Sequence, residues 1–337
     1  MLTGLLLVCL AGAMAGLILA PAKLMRTYRF ENYWLIYSLS GTVAIPWLLA
    51  AWALPDLPGF LAGLSGAAMV TPGLFALSWG VASTLGGLAV ARIGLSLAYS
   101  LVIGLGAAAG TLVPLAWFYP QLLTESSGQI VIAGILVMVG GLVVVTKAGQ
   151  ARERQSGAAA GGDSGAFAAG VLMAVLAGVL AAGLNFSFAF STGTVRAAER
   201  AGASGTSATY PVWALAMLGG MIPNLGFSVW KLTANRTWSI FRAASSGEAL
   251  LGVLMGILFI GSTVVYGLGA SRLGPLGTSI GWGIMQTMQI VVGNAAGFVT
   301  GEWRGVASGP LRLLFAGLAL LILASAIMAF GNYAKGL

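Results

Sequence analysis

The chain has 337 residues, of which 58% are hydrophobic and 7% are charged, and its mean hydropathy is +0.96. Soluble domains carry about 25% charged residues, so this composition excludes a soluble globular fold. The single cysteine, Cys9, excludes a disulfide framework. The absence of histidine excludes histidine triads, histidine-ligated metal sites and histidine proton relays. The composition is that of an integral membrane protein.

Ten apolar segments follow one another along the chain, each long enough for a membrane-crossing helix, which needs about 20 residues. We number them spans 1 to 10, with approximate bounds 2–22, 32–53, 69–91, 94–119, 129–146, 166–191, 208–230, 249–270, 276–299 and 310–332. The alternating pattern of a β-barrel is absent, so the sequence predicts an all-α membrane protein. Basic residues follow span 1 and do not precede it, which favours a span over a secretory signal.

The basic residues are divided unequally between the loops. Twelve of the 16 follow an odd-numbered span: Lys23, Arg26, Arg29, Arg92, Lys147, Arg152, Arg154, Lys231, Arg236, Arg242, Arg304 and Arg312. Four lie on the other side: Arg196, Arg200, Arg272 and Lys335. Because basic loops are retained in the cytoplasm, the pattern predicts that both termini are periplasmic. The net charge of +8 therefore indicates orientation, and the expected partner is a lipid bilayer and not a nucleic acid.

Three short matches relate the two halves of the chain. LAGAMAGL at 10–17 resembles LAGVLAAGL at 176–184, ARIG at 91–94 resembles SRLG at 271–274, and AGIL at 133–136 resembles AGL at 316–318. Their order predicts five-helix repeats at 1–149 and 166–337, joined by a polar, flexible linker at 150–165. Five is an odd number, so the second repeat enters the membrane inverted. Inverted repeats are typical of secondary transporters, whose substrate site lies near the midplane at the repeat interface.

Neutral polar and aromatic residues are the candidates for a site, because the spans contain almost no ionisable groups. Span 3 carries Trp79 and Ser83 on one helical face, and span 9 carries Trp282, Gln286 and Gln289 at the same spacing. Asn185, Tyr99 and Tyr266, in spans 6, 4 and 8, are further candidates. An indole packs against the C–H face of a sugar, and amides and hydroxyls bind its hydroxyl groups. Interhelical hydrogen bonding and packing are the alternative interpretation.

Other classes of function have weaker support. The sequence contains no phosphate-binding loop for ATP-driven transport. It also shows no cluster of acids, bases or metal ligands near a span end, so we expect neither an enzyme nor a cofactor. The lack of a deep carboxylate argues against a cationic cargo and for a neutral one.

Several motifs resemble the L-rhamnose–proton symporter family of the drug/metabolite transporter superfamily. They are Ala20-Pro21-x-Lys23 with Glu31 and Trp34, Pro46-Trp47, Trp79-Gly80, Leu95-Ser96, Gly110-Thr111-Leu112, Val145–Gln150 with Glu153-Arg154, Asn224–Phe227 and Glu302-Trp303. The resemblance runs nearly end to end. It implies a ten-helix carrier of the bacterial inner membrane that takes up a neutral deoxyhexose with a proton by alternating access.

The resemblance also assigns a candidate for proton coupling. Glu31, at the start of span 2, matches a family glutamate, although an ion pair with Arg26 or Arg29 is an alternative. The stretch Gly277-Thr278-Ser279 departs from the tyrosine and acidic residue expected from the family at the start of span 9. The alternatives therefore stay open: sodium coupling, an uncoupled facilitator for another small neutral solute, or an exporter of drugs or metabolites.

Overall fold

The computed structural model describes residues 1–155, 164–205 and 207–334, and every regular element in these ranges is helical. The α-helices are α1 (Leu2–Gly16), α2 (Phe30–Ser38), α3 (Ile45–Ala53), α4 (Leu57–Gly63), α5 (Gly66–Ile93), α6 (Leu95–Phe118), α7 (Ser126–Gln155), α8 (Ser164–Ala181), α9 (Gly183–Ala189), α10 (Thr192–Arg200), α11 (Tyr210–Ala234), α12 (Ile240–Ala243), α13 (Ser246–Arg272), α14 (Gly277–Val299) and α15 (Ser308–Ala334). Short 3₁₀ turns lie at Pro21–Leu24, Pro120–Leu123 and Ser207–Thr209.

Nine stretches of the described residues are long and apolar enough to cross a membrane. They are Leu2–Leu24, Phe30–Ala53, Gly66–Ile93, Leu97–Phe118, Ser126–Gln155, Gly165–Arg200, Ser207–Ala234, Ser246–Arg272 and Ser308–Ala334. They coincide with nine of the ten predicted spans. The remaining predicted span, span 9, corresponds to α14, a 23-residue helix that does not reach the same hydropathy. Its amides, at Gln286, Gln289 and Asn294, lower its hydropathy below that of the others.

Local backbone breaks divide three of these stretches. A π-helical turn, Leu39–Ala44, joins α2 to α3. Turn residues 17–20 end α1, and a turn at Ala182 separates α8 from α9. The predicted linker 150–165 begins as helix, because α7 continues to Gln155, and α8 starts at Ser164. Its central residues, 156–163, lie outside the described part of the chain, as does Lys335.

The chain forms two compact units, and each takes elements from both halves of the sequence. The first unit consists of Met1–Gly16, Leu85–Ala182 and Gly269–Leu337. The second unit consists of Leu17–Thr84 and Gly183–Leu268. Helices α5 and α13 lie mainly in the second unit, and their last turns belong to the first.

Glycines allow the closest helix contacts of the first unit. Helix α1 packs along α14, where a Cβ on Gly12 would lie 2.5 Å from the carbonyl oxygen of Met285. A Cβ on Gly16, one turn later, would lie 2.6 Å from the carbonyl oxygen of Gln289. The spacing is that of the small-xxx-small motif, which lets helix backbones touch in a membrane. Helix α1 therefore positions the turn of α14 that carries Gln286.

Candidate functional site

Trp79 of α5 lies in an aromatic group of the second unit. Its indole stacks on Phe259 of α13, with ring centroids 5.0 Å apart and an interplanar angle of 7°. Tyr37 of α2 packs edge-on against the same phenyl ring at 5.6 Å. Gly220 of α11 makes room for the indole, since a Cβ there would lie 2.9 Å from Trp79 Cζ3. One face of Trp79 is thus already covered by protein, and the side chain as a whole is half-buried.

Ser83, one turn after Trp79, belongs to a hydrogen-bonded group centred on Asn224. The Ser83 hydroxyl lies 3.0 Å from Asn224 Oδ1, which also accepts a bond of 3.3 Å from the indole nitrogen of Trp34. The Asn224 amide nitrogen donates to the carbonyl of Gly220 at 2.9 Å. Three elements, α2, α5 and α11, are therefore joined through one buried amide. The structure thus joins Ser83 to Asn224, a residue of the family motif Asn224–Phe227 that was not among the predicted site residues.

Asn185 and Tyr266 form a second polar pair in the same unit. The Tyr266 hydroxyl donates to Asn185 Oδ1, and both side chains are fully buried. The Tyr266 ring packs edge-on against Phe188, which stacks on Trp213 with centroids 5.3 Å apart. Tyr266 follows Phe259 by seven residues, so the two share a face of α13 about 10 Å apart. The second unit thus places four of the predicted residues along neighbouring helices.

The three candidates of span 9 lie on α14, in the first unit. Trp282 is buried, and its indole nitrogen donates to the Gly106 carbonyl of α6 at 3.1 Å. The indole lies directly over Gly110, where a Cβ would overlap it. These contacts give Trp282 a role in packing α14 against α6. Gln286, one turn further on, is 9% exposed, and its amide makes no hydrogen bond within the described residues.

Tyr99 and Gln289 are less enclosed than the other candidates of the first unit. Tyr99 lies on α6 and is 43% exposed, without a hydrogen bond to any described residue. Gln289 is half-buried on α14, three residues after Gln286. The structure does not join Tyr99 to either glutamine. Gln286 is more enclosed than Tyr99 and Gln289, and its amide, which bonds to no described residue, remains available to a ligand.

Glu31 occupies the first turn of α2, where the residue as a whole is 4% exposed. Its Oε1 accepts hydrogen bonds from the Asn235 amide at 3.0 Å and from the Thr237 hydroxyl at 2.9 Å. Among the described residues it forms no salt bridge, so the structure does not support the alternative of an ion pair with Arg26 or Arg29. Glu31 is a buried carboxylate that accepts from two neutral donors and lies within electrostatic range of Lys231.

Glu248 is a second buried carboxylate, which the sequence motifs did not single out. It lies in the first turn of α13 and accepts from the backbone nitrogens of Arg26 at 3.0 Å, Thr27 at 2.9 Å and Tyr28 at 2.7 Å. These bonds fix the segment that leads into α2 and hence the position of Glu31. An acidic residue at the start of an apolar helix was the available signal, but its partners lie in the other half of the sequence.

A metal site has no support in the described part of the chain, where no three cysteine, aspartate or glutamate side chains come together. Apart from the two carboxylates, the buried polar groups described above are amides, hydroxyls and indole nitrogens beside aromatic rings. Such groups bind neutral, hydroxyl-rich molecules by hydrogen bonds and stacking.

Known proteins resemble this chain along almost its full length. The family model for the L-rhamnose-proton symport protein (RhaT) matches residues 1–334. An L-rhamnose-proton symporter of Citrobacter koseri is 27% identical over 330 residues, which cover 96% of this chain and 95% of the relative. The symporter of the same name from Cronobacter sakazakii is 27% identical over 336 residues and covers 97% of each chain. That of Pectobacterium atrosepticum is 26% identical over 330 residues, 96% of this chain and 95% of the relative.

Because a match of this extent leaves only the last three residues outside the family model, the chain belongs to the L-rhamnose-proton symport protein family, whose members are transporters and not enzymes.

Proposed function

We propose that this protein is a secondary active transporter of the bacterial inner membrane that carries L-rhamnose, or a similar neutral deoxyhexose, together with a proton by alternating access. The observation that carries the proposal is the family match over residues 1–334. Relatives named L-rhamnose-proton symporter cover 96% of the chain or more. The residues proposed below to bind the sugar carry amides, hydroxyls and indoles, and these neutral groups suit such a cargo.

We extend the proposal to ten membrane spans arranged as two inverted five-helix repeats. The borders of the compact units support a duplication. The chain leaves the first unit after Gly16 and again after Ala182, and both borders fall inside the matched segments 10–17 and 176–184. It re-enters the first unit at Leu85 and again at Gly269, in each case shortly before the ARIG or SRLG motif. Equivalent borders at matching segments are what a duplicated fold produces.

Backbone conformation at the repeated motifs gives independent support. Gly94 ends the ARIG motif after α5 with a φ of 80°, and Gly274 ends the SRLG motif after α13 with a φ of 81°. This left-handed conformation favours glycine. The two helices that correspond in the proposed repeats therefore end in the same way.

For substrate binding, we propose two groups of residues. The second unit offers Trp79, Ser83, Asn185 and Tyr266, and the first unit offers Tyr99, Trp282, Gln286 and Gln289. Asn224 joins the first group because it orients Ser83. Amides and hydroxyls in these groups replace water around the sugar hydroxyls, whose burial without partners is unfavourable.

For proton coupling, we propose Glu31. A buried carboxylate with neutral donors can take up a proton without breaking an ion pair, and neutralisation removes the unfavourable burial of its charge. The bonds from Asn235 and Thr237 depend on that charge, so protonation weakens the attachment of the loop after α11 to the start of α2. Proton uptake at Glu31 would thereby loosen the contact between these two backbone segments and not only neutralise one side chain.

The direct test is uptake of labelled L-rhamnose into proteoliposomes with and without an imposed proton gradient, inside alkaline. We expect accumulation above the external concentration only with the gradient, and its loss on addition of a protonophore. In a separate experiment, uptake is measured with a sodium gradient and no proton gradient. Uptake that does not depend on the proton gradient would contradict symport and favour a facilitator. Accumulation driven by a sodium gradient alone would mean that sodium, and not the proton, is the coupling ion.

Glu31→Gln tests the residue assigned to coupling in the same proteoliposomes. The variant is expected to keep exchange of internal for external L-rhamnose while losing gradient-driven accumulation, because glutamine preserves the shape but does not titrate. Glu125→Gln, at an exposed loop acid, is the matched control. Accumulation by the Glu31 variant at the wild-type level would remove Glu31 from the coupling step.

A further inference from the structure

One end of the second unit gathers five basic residues from segments distant in sequence. Arg26 and Arg29 precede α2, Lys231 and Arg236 lie at the end of α11, and Arg242 lies in α12. We call these five residues the basic patch. Two contacts hold their segments together: Tyr28 packs edge-on against Phe241 at 5.6 Å, and the Asn32 amide donates to the Thr237 carbonyl at 3.1 Å.

The two acids in this region do not balance the charge of the basic patch, although Glu31 lies within electrostatic range of Lys231. The Glu31 carboxylate accepts from Asn235 and Thr237, and the Glu248 carboxylate accepts from three backbone nitrogens. Both acids are buried. Within the described ranges, none of the five basic side chains forms a salt bridge, and their charges exceed those of the two acids.

Exposed aromatic rings border the basic patch. Trp230 is 59% exposed, and Trp238 is also exposed. The Lys231 ammonium lies 5.8 Å from the ring centroid of Trp230 and 5.9 Å from that of Phe227. Tryptophan at the end of an apolar helix is typical of the membrane–water interface, where lipid headgroups lie. The patch therefore combines cations and rings at the depth of the headgroups.

Arg236 has an unusual backbone conformation for its residue type. Helix α11 ends in a Schellman motif, in which Thr237 N donates to the Leu232 carbonyl and Arg236 N donates to the Thr233 carbonyl. Arg236 occupies the left-handed position with a φ of 54°, the only non-glycine residue with positive φ in the described part of the chain. Glycine is the favoured residue there. A strained arginine at such a position points to a function for its side chain.

We infer that the basic patch binds the headgroup of an anionic phospholipid. The phosphodiester would interact with the guanidinium groups of Arg236 and Arg242 and the ammonium of Lys231, and the acyl chains would lie along Trp230 and Trp238. Arginine suits phosphate because its planar donors make paired hydrogen bonds. This ligand would stabilise the segments on either side of Glu31.

The test uses the full-length protein in neutral detergent, titrated with phosphatidylglycerol or with phosphatidylcholine of identical acyl chains. Native mass spectrometry gives the ratio of the two lipids retained. The variant Lys231→Gln/Arg236→Gly/Arg242→Gln removes three charges of the patch. Arg196→Gln/Arg200→Gln/Arg312→Gln removes three exposed charges elsewhere and is the matched control.

Each basic residue near an anionic surface contributes about a fivefold preference. We therefore expect the patch variant to lose roughly tenfold or more of the preference for phosphatidylglycerol, with the control unchanged. An equal loss in both variants, or in neither, would overturn the proposal. Displacement of phosphatidylglycerol by inorganic phosphate at equal concentration would also overturn it, since the ligand would then be a free anion.

The single variant Arg236→Gly separates lipid binding from folding. Glycine fits the left-handed position, so the melting temperature without lipid should be unchanged or higher. The rise in melting temperature on adding phosphatidylglycerol should be smaller than in the wild type. A full rise in the variant would exclude Arg236 from the headgroup site.

Discussion

Asn224 illustrates what a single residue adds to the site of the second unit. Its side-chain oxygen is the shared acceptor for Ser83 and Trp34, and its amide nitrogen is bonded to the Gly220 carbonyl. A side chain with only an acceptor or only a donor could not bond to all three partners. Sequence patterns predicted Trp79 and Ser83 from their spacing on one helix. They could not predict Asn224, because its role arises from contacts with two other elements.

Gln286→Ala tests the first unit at the same scale. A buried sugar hydroxyl that loses its partner is destabilised by about 1–3 kcal/mol. We therefore expect the half-saturation concentration for L-rhamnose to rise roughly five- to a hundredfold, with the amount of folded protein unchanged. Gln121→Ala, at an exposed glutamine of a 3₁₀ turn, is the control for loss of an amide. An unchanged half-saturation concentration would remove Gln286 from the binding site.

At the scale of elements, the contact of α1 with α14 links packing to the candidate site. Gly12→Ala would place a Cβ 2.5 Å from the Met285 carbonyl oxygen, next to Gln286. Overpacking of this kind is unfavourable by about 1–3 kcal/mol, so the melting temperature should fall. The half-saturation concentration should change as well, because the turn that carries Gln286 must shift.

Gly140→Ala on α7 is the matched control, since a Cβ there meets no atom within 4 Å. This control should keep wild-type transport and a melting temperature equal to or above that of the wild type, because the added methyl group meets no neighbour and alanine favours a helix more than glycine does. Equal effects of the two substitutions would mean that general helix propensity, and not the contact with α14, explains the change.

Hydrophobic segments predicted most elements well but not their internal breaks. Span 8, predicted at 249–270, is the continuous helix Ser246–Arg272. Span 2 instead contains the π-helical turn Leu39–Ala44, and span 6 is divided at Ala182. Hydropathy reports an average over about 20 residues. It cannot detect a change of one or two backbone hydrogen bonds within that length.

For the whole molecule, the charges of the loops predict the orientation in the membrane. With both termini periplasmic, alkaline phosphatase fused after the last residue should be active in cells. The same reporter fused after Gln155, in a loop predicted to be cytoplasmic, should be inactive and serves as the control. The reverse pattern of activity would invert the assigned orientation.

The organisation into units differs from the organisation of the sequence. The short matches divide the chain at its middle, whereas each compact unit combines segments of both halves. The sequence matches indicate which segments correspond to each other. The packing of the helices determines which segments are neighbours in the structure. The proposed repeats and the compact units are therefore different divisions of one chain, and only the proposed repeats come from the sequence.

The interleaving of the units has a consequence for biosynthesis. A ribosome that has completed residue 149 has made a part of both units and the whole of neither, because the second unit needs residues up to Leu268 and the first needs α15. Helix α7 acquires its α15 neighbours, such as Met328 beside Gly134, only when translation is almost finished. Until then, lipid must cover helix surfaces that protein later covers. Assembly therefore has to be largely post-insertional, with helices entering the bilayer in order and finding their neighbours afterwards.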